Sequence, residues 1–383
     1  MLTARQLDVL PEPILALYER YAQSVLNDIA RRLAGLDFAR PTAAWQMQRL
    51  TESGRIYEHA LSELATLTGQ SEATLRRVFS EAGVEAVRFD DSIYRAAGLD
   101  PLPLNLSPAM VSVLRAGLER TNGLIRNLTQ STALTAQQAF IDAADLAFMQ
   151  VSSGAMSHQQ AVRAAIKDVA GKGLSVIHYA SGRRDQLDVA LRRAVLTGVN
   201  QTAGQLTEAR ANEMGVDLVQ TSAHIGARPS HARWQGKVFS RSGQSDKYPH
   251  FATATGYGTA TGLCGINCRH SYYPFFEGLS AEHYRQAEID AYERKRVTFN
   301  GEEMSVYDAT QKQRAIERNI RATKREIAAL DAAGLDSTEE RTQLYEDQRE
   351  MRSFVRQTKL QRQRFREQAH ELDKQPKALR PRQ

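Results

Sequence analysis

Apolar side chains recur at steps of three and four residues along most of the chain, a pattern that predicts amphipathic helices. The first clear stripe covers residues 14–33 and ends at Gly35. Gly69 predicts the end of a second helix, and Ser71 is placed to cap the next one. Prolines interrupt the pattern over residues 98–108. The predicted helices of the first half after residue 33 are 43–67, 72–81, 85–97, 109–128, 136–152, 158–170 and 184–214.

The helical period lapses between residues 171 and 182, where Val176, Ile177 and Tyr179 lie between glycines. This pattern predicts a short strand or an extended loop, with Arg183 and Arg184 opening the next helix. Two interpretations remain open for the arginines: a loop that holds a phosphate, or the solvated start of a helix.

Beyond residue 215 the pattern is typical of a small sheet. Residues 216–222, 237–239 and 269–275 alternate or run extended, and they predict three strands. Residues 246–266 are rich in Gly, Thr and Ala, so they are predicted to form a loop folded over that sheet.

The last hundred residues return to helices. A charged helix is predicted over 281–294, and Asn300-Gly301 between two short extended runs predicts a two-residue β-hairpin. Two long helices then follow, and they are predicted to pack as an antiparallel pair. Ser337 and Glu340 have the spacing of a capping box at the start of the second one, whose apolar stripe reaches Phe365.

Composition limits the class of protein. With 383 residues, of which 42% are hydrophobic and 25% charged, the chain has a globular composition and length for two or three domains. We expect neither a secreted precursor nor a membrane protein, because a signal-like start and a long apolar run are both missing from the sequence. The two cysteines cannot form a disulfide framework, which favours a reducing compartment.

The formal net charge is +6, and residues 311–383 alone contain 18 Lys and Arg against 12 Asp and Glu, a net of +6. The net charge of the C-terminal region therefore equals that of the whole protein. Such charge suits contact with DNA through salt-dependent interactions, and it is equally typical of a solvated helical surface.

Candidate chemistry is concentrated in residues 222–276. This stretch holds both cysteines, one of the two tryptophans and four of the nine histidines. The candidate metal ligands are Cys264, Cys268, His270 and His231, with His224 and His250 as alternatives to His231. Cysteine and histidine are the ligands of structural zinc, although the spacing differs from the usual CxxC knuckle. Alternatively, the two cysteines are small buried hydrophobes and the histidines bond to the backbone.

Glycines in the same stretch predict a tightly specified backbone. Gly256, Gly258, Gly262 and Gly265 indicate conformations or close approaches that other residues cannot adopt.

The sequence predicts no catalytic residues. The HExxH helix and the deaminase signature are both missing, and Cys268 beside His270 lacks an obvious orienting acid. A metal-dependent nuclease or other hydrolase built on the His/Cys cluster, in which Arg228, His231 and Arg269 bind an anion, is the alternative.

Three short motifs resemble the phage minor capsid protein 2 family and, more loosely, the head-morphogenesis minor capsid proteins of tailed phages. They are Arg228-Pro229-Ser230-His231, Trp234-Gln235-Gly236-Lys237 and Asn267-Cys268-Arg269-His270. The helical beginning and the segment QRAIERNIRATKR near the end also look like this family. The chain departs from the looser group at His270, where that group tends to have a second cysteine, so a shared metal does not follow from the resemblance.

The resemblance implies a structural virion component that acts in head assembly near the portal, and in genome packaging or ejection. Its implied partners are the portal and other capsid proteins, with packaged DNA as a partner of the basic C-terminal helices, and its implied place of assembly is the bacterial cytoplasm. The predicted fold is mainly α-helical with a small inserted α+β domain. The predicted divisions are a helical region at 1–215, the α+β core domain at 216–278 and a basic helical region at 279–383.

Overall fold

The computed structural model describes residues 1–39, 41–177, 182–280 and 283–369. Within these residues the α-helices are α1 (Ala4–Val9), α2 (Glu12–Ala34), α3 (Thr42–Ala96), α4 (Pro108–Gln130), α5 (Thr132–Ser152), α6 (His158–Lys172), α7 (Leu187–Glu213), α8 (Pro229–Ala232), α9 (Phe251–Thr255), α10 (Gln286–Arg294), α11 (Val306–Ala332) and α12 (Thr338–Thr358). The strands are β1 (Ser175–Ile177), β2 (Arg184–Gln186), β3 (Leu218–Thr221), β4 (Val238–Ser240), β5 (Tyr272–Pro274), β6 (Arg296–Phe299) and β7 (Glu302–Ser305).

This architecture confirms the predicted fold class, mainly α-helical with a small α+β region. The helices α2, α4, α5 and α6 begin and end within a few residues of the predicted bounds. Among the described helices, none combines the length and the apolar character that a membrane span requires.

Helix α3 is the largest difference from the prediction. Its 55 residues include Gly69, which was predicted to end a helix, and Gly83, which lies between two predicted helices. The Ser71 side chain accepts a hydrogen bond from the Tyr18 hydroxyl at 3.1 Å and caps no helix. A glycine weakens a helix interior by only about 1 kcal/mol, which tertiary packing can override.

The segment after α6 contains the predicted strand. Strand β1 pairs antiparallel with β2, and Val176 lies opposite Asp185. The prediction that Arg184 opens a helix is wrong, because Arg184 lies in β2 and α7 begins at Leu187. Tyr179 lies outside the described residues.

The three-stranded sheet has β3 in the centre, with β4 and β5 on its two sides, all antiparallel. These are the three strands that the sequence predicts; β3 and β5 are shorter than their predicted runs, and β4 is shifted by one residue. The prediction that residues 246–266 lack regular structure is wrong over α9.

The C-terminal hairpin prediction is confirmed. Strands β6 and β7 pair with Phe299 opposite Glu302, and Asn300 and Gly301 both have positive φ, as a type I′ turn requires. The charged helix before it is observed as α10, and residues 281 and 282 of its predicted range lie outside the described residues.

The long helices α11 and α12 are also observed, and the Thr323 hydroxyl donates to Asp347 Oδ2 between them at 2.9 Å. Two details of the prediction are wrong. The Ser337 side chain makes no capping bond and donates instead to Asp331 at 2.6 Å. Phe365 lies in the 3₁₀ turn Arg364–Glu367, because α12 ends at Thr358 before Lys359 in the left-handed conformation.

The chain divides into two compact units. The first comprises Met1–Pro11, Glu72–Ile125 and Arg192–Gln311, and the second comprises Glu12–Ser71, Arg126–Leu191 and Lys312–Gln383. The predicted boundaries after residues 215 and 278 both fall inside the first unit, and the three-part division of the sequence stays a prediction.

Candidate functional site

The sheet β4-β3-β5 carries the candidate site, which lies wholly in the first unit. Its apolar core contains Trp234 and Phe239 together with both cysteines. Between β3 and β4 the chain forms the single turn α8, which Pro229 starts at a position where no amide hydrogen is needed. His231 lies in this turn and is only 2% exposed.

The glycine-rich loop between α9 and β5 folds closely on itself. Gly256 and Gly258 have φ values of +66° and +87°, in the region that favours glycine. Methyl groups added at Gly262 and Gly265 would lie 2.0 Å from the Gly256 carbonyl oxygen and 2.6 Å from that of Ala260. The predicted need for glycine is therefore confirmed at all four positions, and the tight loop brings the Thr261 carbonyl to His231.

Three of the predicted metal ligands converge. The ligand atoms of His231, Cys268 and His270 all lie within 4.8 Å of one another, and all three residues are buried. The Cys268 sulfur lies 3.8 Å from Nδ1 of His231 and 3.8 Å from Nδ1 of His270. We name these three residues the Cys/His cluster.

The other nitrogen of each imidazole faces an oxygen. His231 Nε2 lies 2.8 Å from the Thr261 carbonyl oxygen, and His270 Nε2 lies 3.3 Å from Gln235 Oε1. The same Oε1 atom accepts the His224 backbone N–H at 3.2 Å. Both rings are thus oriented with Nε2 towards an acceptor and Nδ1 towards the sulfur.

Cys264 lies outside this cluster. Its sulfur is 3.8 Å from the His270 carbonyl oxygen, and it packs so close to α7 that a methyl group at Gly204 would lie 3.1 Å from it. Cys264 adopts φ +58°, an uncommon conformation for a residue with a side chain. Its environment is that of a buried core residue.

Asn200 of α7 fixes the backbone of the cluster. Its side-chain amide donates to the carbonyl oxygens of Cys268 at 3.0 Å and His270 at 3.1 Å. Buried carbonyl groups need such partners, so this side chain stabilises the segment that leads into β5.

Burial determines the ionisation of the site. It lowers the pKa of His231 and lowers the pKa of His270 well below its ordinary value, so both rings are neutral at neutral pH. Burial likewise raises the pKa of Cys268 and raises the pKa of Cys264 further. A protonated thiol is a weak nucleophile, so this environment does not activate either sulfur for catalysis.

The remaining motif residues serve the local fold. Trp234 packs against both cluster imidazoles, with ring centroids 4.8 Å from His231 and 4.8 Å from His270. Gly236 and Asn267 have φ values of +71° and +56°, which glycine and asparagine tolerate best.

The predicted anion-binding arginines, and the alternative ligands His224 and His250, contact partners outside the Cys/His cluster. Arg269 Nε forms an ion pair with Asp8 at 2.5 Å, and Arg228 Nη2 lies 3.4 Å from the Ile266 carbonyl oxygen. His250 Nδ1 lies 2.7 Å from the Thr253 hydroxyl. The His224 ring lies beside that of His270, with centroids 4.3 Å apart, but its Nδ1 contacts the Ile225 carbonyl oxygen.

Sequence reasoning missed two partners of the cluster, Asn200 and the Thr261 carbonyl. Asn200 lies four residues after Leu196 and three before Ala203, so a polar residue on the apolar side of α7 was the available signal for the first. A backbone carbonyl leaves no sequence signal, so the second required the fold of the loop.

Sequence comparison with known proteins places the chain in a family. The sequence profile described as phage minor capsid protein 2 matches residues 2–356. A structural protein of Lactococcus phage LL-H is 24% identical over 324 residues, which cover 81% of this chain and 83% of that protein. A structural protein of Lactococcus phage mv4 is 39% identical over 79 residues, which cover 21% of this chain and 55% of that protein. No solved structure matches.

This match defines the class of protein, a phage structural protein with a mainly helical fold. The chain belongs to the phage minor capsid protein 2 family, and the resemblance that the three motifs carry is confirmed.

Proposed function

We propose that this minor capsid protein acts in assembly of the phage head near the portal, and takes part in packaging or ejection of the genome. The observation that carries the proposal is the family match, which spans residues 2–356 and therefore covers most of both compact units. Other capsid proteins and the portal are its proposed partners, and the bacterial cytoplasm is the proposed place of assembly.

Disruption of the gene in its phage, with complementation from a plasmid, tests this role. Defective or DNA-free heads beside normal tails are expected, and the plasmid copy should restore infectious particles. A normal yield of infectious particles from the disrupted phage would overturn the proposal.

A non-catalytic role is part of the same proposal. It is supported by the match to a structural protein family and by the burial of the Cys/His cluster, whose three residues are each at most 2% exposed. The purified protein should leave plasmid DNA intact in the presence of Mg²⁺, Mn²⁺ or Zn²⁺. Cleavage that His231→Ala abolishes and Cys264→Ala retains would establish a hydrolase instead.

Contact with packaged DNA is proposed for the basic C-terminal region, because residues 311–383 have a net charge of +6. Arg352, Arg356 and Lys359 are exposed on the last turns of α12 and just beyond it.

Changing all three to glutamine should weaken DNA binding at low salt and reduce the slope of log affinity against log salt by up to about 3. Changing the exposed Arg294, Lys295 and Arg296 to glutamine is the matched control. Equal slopes for both variants and the unchanged protein would refute this contact. The last residues of the basic region, 370–383, lie outside the described residues.

A further inference from the structure

Two imidazole nitrogens face one thiol in the Cys/His cluster, and hydrogen bonding alone does not satisfy them both. The carbonyl oxygen of Thr261 only accepts hydrogen bonds, so His231 Nε2, 2.8 Å away, carries the ring proton. Nδ1 of that ring then presents a lone pair to the Cys268 sulfur at 3.8 Å.

The His270 ring is oriented in the same way. Gln235 Oε1 accepts the His224 backbone N–H, so it is an acceptor for His270 Nε2 as well. His270 Nδ1 therefore also presents a lone pair to the Cys268 sulfur, at 3.8 Å. A single S–H proton can be donated to only one of these two nitrogens, and a buried acceptor without a donor is costly.

A metal ion removes this conflict because it binds all three lone pairs at once. Zn–S and Zn–N bonds of about 2.3 and about 2.0 Å in a tetrahedron place sulfur and nitrogen about 3.5 Å apart. The two sulfur–nitrogen distances of 3.8 Å are within a few tenths of an ångström of that geometry.

The surroundings also match a metal site. Histidine ligands almost always donate their second ring N–H to a carbonyl or carboxylate oxygen, as the Thr261 and Gln235 oxygens allow here. Cysteine thiolate and histidine imidazole are both ligands that zinc accepts in proteins. His231 comes from α8 and the other two residues precede β5, so an ion would connect two separate segments of the small sheet domain.

We propose that His231, Cys268 and His270 bind one Zn²⁺ ion that cross-links α8 to the segment leading into β5. Cys268 releases its thiol proton to solvent on binding. Cys264 takes no part. This inference is independent of the proposed role near the portal.

Metal analysis of the full-length protein tests the proposal. After expression with added zinc and extensive dialysis, the unchanged protein should contain about one zinc per chain. Zinc removal by a chelator should lower the Tm, and stoichiometric Zn²⁺ should restore it. Co²⁺ in place of zinc should give a thiolate-to-cobalt charge-transfer band, which requires the sulfur ligand.

Variants locate the site. Cys268→Ala should lose the zinc, the cobalt band and the response of Tm to Zn²⁺, whereas the matched variant Cys264→Ala should keep all three. Gln235→Leu should weaken zinc binding about 10- to 100-fold, because an outer partner orients its ligand.

The proposal is overturned if the unchanged protein contains no zinc and neither its Tm nor its spectrum responds to Zn²⁺ or Co²⁺. It is also overturned if Cys268→Ala retains one zinc per chain. The response of the unchanged protein to added Zn²⁺ and Co²⁺ tests the proposal even where a variant fails to fold.

Discussion

Gly117 of α4 faces Thr202 of α7 so closely that a methyl group on Gly117 would lie 2.0 Å from the Thr202 hydroxyl oxygen. The relationship is reciprocal, because a methyl group on Gly198 would lie 2.1 Å from the Thr121 hydroxyl oxygen. Residues four apart lie on one face of a helix, so each helix contributes a glycine and a threonine to the same contact. This close approach positions α7, which carries Asn200, in the first unit.

Gly117→Ala should therefore destabilise the protein by about 1 to 3 kcal/mol, the usual cost of overpacking. Gly123→Ala is the matched control, because Gly123 lies in the same helix with no atom within 4 Å of an added methyl group. That control should gain up to about 1 kcal/mol from helix propensity. Urea denaturation measures both, and equal stability of the two variants would show that α4 and α7 do not pack in this way.

Glu340 of α12 binds two cations of α6 within the second unit. The Glu340 carboxylate lies 2.6 Å from Arg163 and 2.8 Å from Lys167, and its side chain is 1% exposed. Glu340→Gln should cost about 2 kcal/mol, because it removes a buried charge-assisted contact. The neighbouring Glu339→Gln is the control: its side chain is 77% exposed, so the change should stay within about 0.5 kcal/mol. A comparable loss of stability from both variants in urea denaturation would contradict the assignment.

The contribution of Glu340 should also depend on pH. Burial acts to raise the pKa of Glu340, but hydrogen bonds from Lys167 and Arg163 outweigh it and hold the pKa below its ordinary value of 4.5. A carboxyl group with a lowered folded-state pKa stabilises above its unfolded pKa and loses that effect as pH falls through the folded pKa. The stability difference between the unchanged protein and Glu340→Gln should be full at about pH 7 and shrink below the ordinary value. A difference that grows towards acid pH in the same denaturation measurement would contradict this sign.

A proline substitution at Gly69 tests whether α3 continues through this residue. Proline removes a hydrogen bond and clashes in a helix interior, so Gly69→Pro should destabilise by about 3 kcal/mol or more. Gly69→Ala, which the open surroundings accommodate, should stabilise by up to about 1 kcal/mol. If the helix ended at Gly69, as the sequence pattern predicts, thermal unfolding would find the proline variant close to the unchanged protein.

The loop that brings Thr261 to the Cys/His cluster depends on Gly262. A methyl group there would lie 2.0 Å from the Gly256 carbonyl oxygen, and this backbone contact leaves no room for adjustment. Gly258 has a positive φ of +87° but no atom within 4 Å of an added methyl group. Gly258→Ala should lower the free energy of unfolding by about 1 to 2 kcal/mol, because alanine tolerates a positive φ poorly. Gly262→Ala should lower it further. Thermal unfolding in which Gly258→Ala is the less stable variant would contradict this account of the loop.

Much of the fold could be predicted because local chemistry determines it. The apolar stripe of α2 and the turn at Asn300-Gly301 are local signals, and both elements form as predicted. The continuity of α3 through Gly69 and the partners of Ser337 depend on tertiary contacts, so sequence patterns predicted them wrongly.

The candidate site, too, could be predicted only where local sequence determines it. Cys268 and His270 were candidate ligands two residues apart in the chain, and they converge. His231 lies in a separate turn, and its convergence with them depends on the folded loop. The different environment of Cys264 follows from its left-handed backbone and the close contact with Gly204, which no spacing indicates.

We propose that this chain is a head component located near the portal. Gold labelling of an epitope-tagged chain on purified phage particles and isolated heads, viewed by electron microscopy, tests it most directly. The account predicts label at a single vertex of the head, the one that carries the tail. Label on all vertices, on the tail alone, or on neither particles nor heads would contradict it.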